Sequence, residues 1–278
     1  MIKAMFFDLD GTLLTSEKKV AERTKEVLAR CKRRGIKLFI ATGRPPLLRR
    51  MLSWDDAMFD LFDGGTYCNG ACIDLDGPKT YRTIDGQVVR EMIEAVEQFD
   101  DVNMAMQMEN ERHAFRFPID AAYENAWGID FADALALAEA DCNDVNKLLV
   151  FHDDMVDSTR LLSPDKLAVF EKVYKGRAQA YVSDQGLFVQ MMGLGVNKMQ
   201  GVECVRTRFG FAKDEIAVFG DDTNDSEMLA AYPNSFAMGN AQDCVKECAA
   251  HVTRSNDEDG VVYAIEEMLG IFGGNDGE

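Results

Sequence analysis

Residues 5–14 read MFFDLDGTLL, an apolar run that ends in two aspartates and a glycine. The run predicts a strand over residues 5–9 that enters a turn at Asp10-Gly11. Residues two apart on a strand share a face, so the pattern directs Asp8 and Asp10 into one site at the strand's carboxyl end. Open α/β sheets bind their ligands at that edge. Two carboxylates held close repel, and they call for a cation or a shared proton. Mg²⁺ is the natural cation where carboxylate oxygens meet a phosphate. A plainer reading is a pair of turn-forming aspartates, so the segment needs support from the rest of the chain.

Working outward, apolar positions Val20, Val27, Leu28 and Cys31 predict a helix over 20–34, with Gly35 as its stop. A second strand follows over 37–42, broken by Gly43, and Pro45-Pro46 suit the first turn of another helix. This βαβα order predicts a parallel sheet with right-handed crossovers. Near residue 65 the pattern changes to short antiparallel strands at 66–68, 71–75 and 80–83, joined by Asn69-Gly70 and Asp76-Gly77 turns. Residues 84–188 mix helices at 87–99 and 164–174 with strands at 103–108, 147–151 and 179–182. From Asn197 the alternation returns: helix 198–209, strand 215–219, helix 224–230, strand 235–238, helices 243–249 and 261–269, and a frayed tail at 273–278. The expected architecture is an α/β core from residues 1–83 and 189–278, with an α+β cap, 84–188, inserted between them.

The composition sets limits on partners. The 278 residues are 47% apolar, enough for a sizeable core, but the formal net charge is -18. Such a surface repels nucleic acid and anionic membranes, which bind through Lys and Arg. It also repels an anionic substrate at long range, so a phosphate site needs its own cation or N–H donors. The cysteines number seven, an odd count, and most sit in apolar stretches, which predicts buried thiols over disulfides or a zinc site. The chain opens on a strand pattern with no leader-like segment, and no apolar run nears the ~20 residues that span a bilayer. A reduced, cytoplasmic protein is the expectation, and the oligomeric state stays open.

Three further pieces fit the first. Thr42-Gly43 at the end of the second strand, with Arg44 beyond, offers a hydroxyl and backbone N–H groups to a phosphate oxygen. Lys198 opens a helix after Gly195-Val196-Asn197 and can meet phosphate as a point charge. Gly220-Asp221-Asp222-Thr223-Asn224-Asp225 follows another apolar strand. There Asp221 leaves the strand at the level of a metal, and Asp225, one turn on, can orient Lys198 or a metal-bound water. Each piece alone has an ordinary structural explanation. Together they place functional residues at the carboxyl ends of three strands.

With these residues in order, DLDGTLL (8–14), ATGR (41–44), GVNK (195–198) and GDDTND (220–225), the chain resembles the haloacid dehalogenase (HAD) superfamily, and within it the Cof-type phosphatases of subfamily IIB. AMGNA (237–241) and residues 252–261 add to the likeness. The resemblance implies a Rossmann-like parallel-sheet core with an inserted C2-type cap. It implies Mg²⁺-dependent hydrolysis of small phosphorylated metabolites, sugar phosphates foremost, through an aspartyl-phosphate. By the same resemblance Asp8 is the nucleophile and Asp10 the acid and base. Asp8, Asp221 and the Asp10 carbonyl hold the metal. Leu9, Thr42, Gly43, Lys198 and Asn224 hold the phosphoryl oxygens, and Arg44 and Asp225 give support. Met199 departs from the pattern, because many relatives carry Gly after the lysine. In the cap, Glu109, Arg112, His113 and Arg116 are candidate substrate contacts, although charged loop residues are usually only solvated; His152 and His251 show no partner spacing. A phosphomutase of the phosphomannomutase type and a non-catalytic metabolite-binding protein are the alternatives.

Overall fold

The computed structural model describes residues 1–153, 160–183 and 186–272. The expected fray at 273–278 lies outside them. The chain divides into two compact units, residues 1–43, 54–78 and 198–278 in the first and 44–53 and 79–197 in the second. The first contributes strands β1 (Ala4–Phe7), β2 (Lys37–Ala41), β3 (Gly65–Tyr67) and β4 (Cys72–Asp74). The second contributes β5 (Val102–Met108), β6 (His113–Phe115), β7 (Val145–His152), β8 (Ala178–Ser183) and β9 (Phe188–Gly193). The chain then returns for β10 (Ile216–Gly220), β11 (Asn234–Ala237) and β12 (His251–Val252). The main helices are α1 (Glu22–Arg33), α2 (Gly86–Val96), α3 (Pro164–Tyr174), α4 (Lys198–Phe209) and α5 (Ser226–Ala231).

In the first unit the sheet runs β12-β11-β10-β1-β2-β3-β4, parallel except for β4. β1 lies between β2 and β10, with Phe7 level with Ile40 on one side and Phe219 on the other. A parallel strand flanked on both sides is buried on both faces, so it reads as a continuous apolar run. Every β1 residue is fully buried; Phe6 stacks on Phe39 at 4.8 Å and Phe7 on Phe219 at 4.9 Å. Each such ring contributes about 1.5–3 kcal/mol relative to exposure. That packing fixes where β1, β2 and β10 end, all at one edge of the sheet.

The second unit is a six-stranded sheet in the order β8-β9-β7-β5-β6, completed by the short strand Leu135–Ala136. Its α2 and α3 pack on one face over Met104, Met106, Leu148 and Val150, while Phe115, Trp127 and Phe151 cluster with Ala105 apart from that core. The unit boundaries fall near 79 and 197 instead of 84 and 188. Residues 189–193, assigned to the core by the sequence reading, form β9 and pair with β7 and β8. Their run FVQMMG, apolar but for Gln190, lacks the sustained alternation that would have marked them as an extension of that sheet.

Smaller differences have local causes. The helix expected to open at Pro45-Pro46 is a single turn, Leu48–Met51. The helix expected over 224–230 starts at Ser226, because Asp222 accepts the Thr223 N–H and closes a tight turn first. All seven cysteines are free, but only Cys31, Cys68 and Cys72 are buried, and Cys244 is exposed. No helix among the described residues is long and apolar enough to cross a membrane.

Candidate active site

The site is built where β1, β2 and β10 end. Asp8 follows β1 directly, and its N–H donates to the Phe219 carbonyl at 3.0 Å. Lys198, first residue of α4, is 1% exposed and donates to Asp8 Oδ1 at 2.6 Å and to Asp225 Oδ1 at 2.8 Å. Asp225 is fully buried, and its Oδ2 accepts the backbone N–H groups of Asp221 and Asp222 at 3.1 and 3.2 Å. Gly220 is required for this: a Cβ there would lie 2.4 Å from Asp225 Cγ. Asp221 takes the Thr12 hydroxyl on Oδ1 at 2.8 Å and the Asn240 amide on Oδ2 at 3.3 Å. Lys198 keeps this geometry with Met199 beside it, and Met199 packs into the apolar cluster under the sheet.

Asp8, Asp221 and Asp225 can each offer one carboxylate oxygen within 4.8 Å of the others. Burial pushes the Asp8 carboxyl well above the usual range; Lys198 opposes it, and Asp225 and Asp221 reinforce it. Burial, with Asp225 next, raises Asp221 to about 7 against the Thr12 hydrogen bond and Lys198. Burial alone would lower the Lys198 ammonium, but Asp225 and Asp8 outweigh it and hold the group above its ordinary value. Three carboxyl groups face one ammonium, so the cluster can carry more negative charge than Lys198 neutralises, and uncompensated buried charge is costly. An oxygen-only donor set with that excess fits a hard divalent cation.

Asp10 departs from expectation. Its side chain is 39% exposed, pairs with Lys18 at 2.8 Å, and stands outside the clustered carboxylates. β1 ends at Phe7, and the chain turns at once, the Leu9 carbonyl accepting the N–H groups of Thr12 and Leu14. Strand alternation therefore no longer sets the Asp10 direction, and Asp225 takes the place in the cluster that spacing gave to Asp10. Thr42 is buried after β2, its N–H bonded to the Thr66 carbonyl at 2.9 Å. Asn224 donates from Nδ2 to Asn69 Oδ1 at 2.9 Å. Leu9 is fully buried, Gly43 closes the first segment of the first unit, and Arg44 belongs to the second.

Sequence reasoning missed Thr12, Asn69 and Asn240. Thr12 lay inside the first quoted segment and Asn240 inside AMGNA, so both were visible, but only the turns reveal what they touch. The cap candidates resolve mostly as structure. Arg116 donates to the carbonyls of Val96, Phe99 and Val102 at 2.7–2.8 Å, capping the end of α2 and the turn after it. Arg112 pairs with Asp144 at 3.2 Å. His113 is buried, with Nδ1 against the Glu111 carbonyl and burial lowering it to about 4. His152 contacts Asp101 and Asp153, partners that its spacing did not announce.

These features define an α/β enzyme with an acidic centre at the carboxyl edge of its sheet. The chain belongs to the haloacid dehalogenase-like hydrolases, whose family profile matches residues 5–265. It is 28% identical over 273 residues to the 5-amino-6-(5-phospho-D-ribitylamino)uracil phosphatase YitU of Bacillus subtilis, covering 95% of this chain and 96% of that protein. Among solved structures it is similar to a sugar phosphatase of HAD subclass IIB, with TM-score 0.80 and 25% identity over 97% of this chain and all of the other. A HAD phosphatase from Bacteroides thetaiotaomicron gives TM-score 0.78 and 25% identity, covering 98% and 96%. The chain is a hydrolase of the phosphatase type.

Proposed function

We propose that this protein hydrolyses small phosphorylated metabolites through an aspartyl-phosphate, with Mg²⁺ as its cation and sugar phosphates as the first substrate class. The observation that carries the reading is the buried Asp8–Lys198–Asp225 chain with Asp221 beside it. Relatives named for a phosphoribityl compound and for sugars support a phosphate carried on a polyhydroxylated chain.

In this mechanism an Asp8 oxygen attacks phosphorus, the ester P–O bond breaks, and Asp10 gives its proton to the departing alkoxide. Asp10 then takes a proton from the water that attacks the aspartyl-phosphate, the Asp8 O–P bond breaks, Asp8 is regenerated and orthophosphate is released. Asp10 pairs with Lys18 in the structure, so its proton transfers require the carboxyl to leave that partner. Lys198 holds Asp8 in one orientation and places positive charge beside the attacking oxygen. Thr42, Gly43, the Leu9 backbone and Asn224 hold the equatorial oxygens, where transition-state charge collects. Arg44, next in sequence, is a supporting residue in this reading. Asp8 and Asp221, with the Asp10 carbonyl, would hold Mg²⁺, and Asp225 supports from behind. The cation supplies charge neutralisation on the phosphoryl group. In this reading the first unit, residues 1–43, 54–78 and 198–278, is catalytic and the second unit is the cap.

The test is p-nitrophenyl phosphate turnover with and without Mg²⁺, beside an Asp8→Asn control. Mg²⁺-dependent release that the control lacks is the expected result. Equal rates for the two proteins would overturn the reading in favour of a binding protein. One free phosphate per hexose phosphate consumed separates hydrolysis from a mutase, which would release none.

A further inference from the structure

The turn after β3 is unusual in its backbone. Cys68, Asn69 and Gly70 take φ of 52°, 54° and 94°, three left-handed residues in succession. Only glycine adopts that region freely, and strain of this kind persists where the surroundings enforce it. Helix α4 presses on the same segment, since a Cβ on Gly201 would lie 2.1 Å from Thr66 Oγ1 and 3.2 Å from the Gly70 Cα. Asparagine tolerates the left-handed region, so a turn alone would explain the residue type. It does not explain the burial or the side-chain contact.

Asn69 is fully buried, and it bonds in two directions. Its N–H donates to the Thr42 carbonyl at 3.0 Å, tying the turn to the segment that follows β2. Its Oδ1 accepts Asn224 Nδ2 at 2.9 Å across 155 positions of sequence, reaching the turn that follows β10. An amide nitrogen carries two hydrogens, so one remains on Asn224 after this bond. Asn224 Oδ1 is buried with no hydrogen-bond partner among the described residues. That oxygen can only accept, so the group that can meet a phosphoryl oxygen is the remaining Nδ2 hydrogen.

We infer that Asn69 is a positioning residue, which fixes the Asn224 amide and the Thr42 loop against each other so that both meet the same phosphoryl group. This rests on the proposed role of Asn224 and extends it to a residue that touches no substrate. The strained turn is the means: the left-handed backbone at 68–70 carries the Asn69 side chain to Asn224 while its N–H reaches Thr42. A side chain on a relaxed turn would be free to leave either partner.

The test separates backbone from side chain. Asn69→Gly accepts the positive φ and removes only the amide, so the turn is retained. The variants Asn69→Gly, Asn224→Ala and the double are compared for p-nitrophenyl phosphate kinetics with Mg²⁺ and for competitive inhibition by orthophosphate. The expected result is that each single variant weakens orthophosphate inhibition about tenfold, and the double variant weakens it little further, since the two residues act as one unit. A role confined to folding would lower the active fraction, reducing kcat while leaving the inhibition constant unchanged. Asn69→Gly with the parent inhibition constant, beside a weakened Asn224→Ala, would overturn the inference and leave Asn224 as proposed. No change in either would remove the Asn224 reading and this one with it.

Discussion

Gly11→Ala and Gly35→Ala make a matched pair that tests how the acidic centre is held. Both glycines are left-handed, with φ of 77° and 79°. Alanine there costs about 1–2 kcal/mol from the backbone alone. Around Gly35 nothing lies within 4 Å of an added Cβ, so that cost is the whole effect. At Gly11 the Cβ would lie 2.1 Å from Asp221 Oδ2. Relief requires the carboxylate to move by more than about 1 Å, the shortfall from ordinary van der Waals contact. That movement breaks the Thr12 bond of 2.8 Å and the weaker Asn240 contact of 3.3 Å. With a hydrogen bond to a charged group at about 1.5–3 kcal/mol, Gly11→Ala should lose about 3–4 kcal/mol in all. Urea unfolding without added metal reads the stability, and Mg²⁺ titration of p-nitrophenyl phosphate turnover reads the site. Gly35→Ala should keep the parent Mg²⁺ half-saturation, and Gly11→Ala should raise it at least about tenfold, one ligand having been displaced. Parent-like half-saturation in Gly11→Ala would refute Asp221 as a ligand held in place by the glycine turn.

Two other perturbations follow from the charges. Lys198→Met removes the cation bonded to both Asp8 and Asp225, and breaking a buried pair in this way should cost about 3–5 kcal/mol at neutral pH. The Asp8 carboxyl then sits still further above its unfolded value, so the folded state binds more protons and the deficit should shrink as pH falls; a deficit that grows in acid refutes the pairing. His113 is held neutral, its folded value near 4 against 6.5 when unfolded. Its contribution is complete above pH 6.5 and is lost as pH falls toward 4, and the wild type should lose about 2–3 kcal/mol between pH 7.5 and 4.5 on this account. His113→Phe should lose that much less over the same interval by urea unfolding; identical pH dependence in the two proteins would exclude His113 as the cause.

The core was legible because its strands are buried on both faces and its turns are punctuated by glycine. MFF before Asp8, KLFIA before Thr42 and IAVFG before Asp221 read as strands from composition alone, and α4 was located to the residue by its flanking signals. The cap was less so. β6 has three residues, too few for a period to show, and β9 carries a run, apolar but for Gln190, that suits either unit. In the site, Asp8 and Asp221 were singled out by their places after apolar strands, and Lys198 by the helix it opens. The Asp10 direction did not, because period-two alternation holds only while the strand lasts, and β1 stops three residues before it. Asn69 was read correctly as a turn residue, but its contact with Asn224 spans 155 positions, and local chemistry carries no record of it.

The electrostatics of the centre explain why its parts are so unevenly exposed. Lys198 bonds two carboxylates, so its charge is largely spent before a phosphate arrives. A chain of net charge -18 offers no long-range attraction to an anionic ester. On the proposed reading, a phosphoryl group is received by the cation that the carboxylates call for and by neutral donors: the Thr42 hydroxyl, the Gly43 N–H and the Asn224 amide. Neutral donors work by position, not by field, because their attraction fades steeply with misalignment. Precise placement of those donors therefore matters more here than in a site rich in arginine. The interlocked Thr42–Asn69–Asn224 bonds are the arrangement such a site needs, and the backbone strain at 68–70 is set against that alignment.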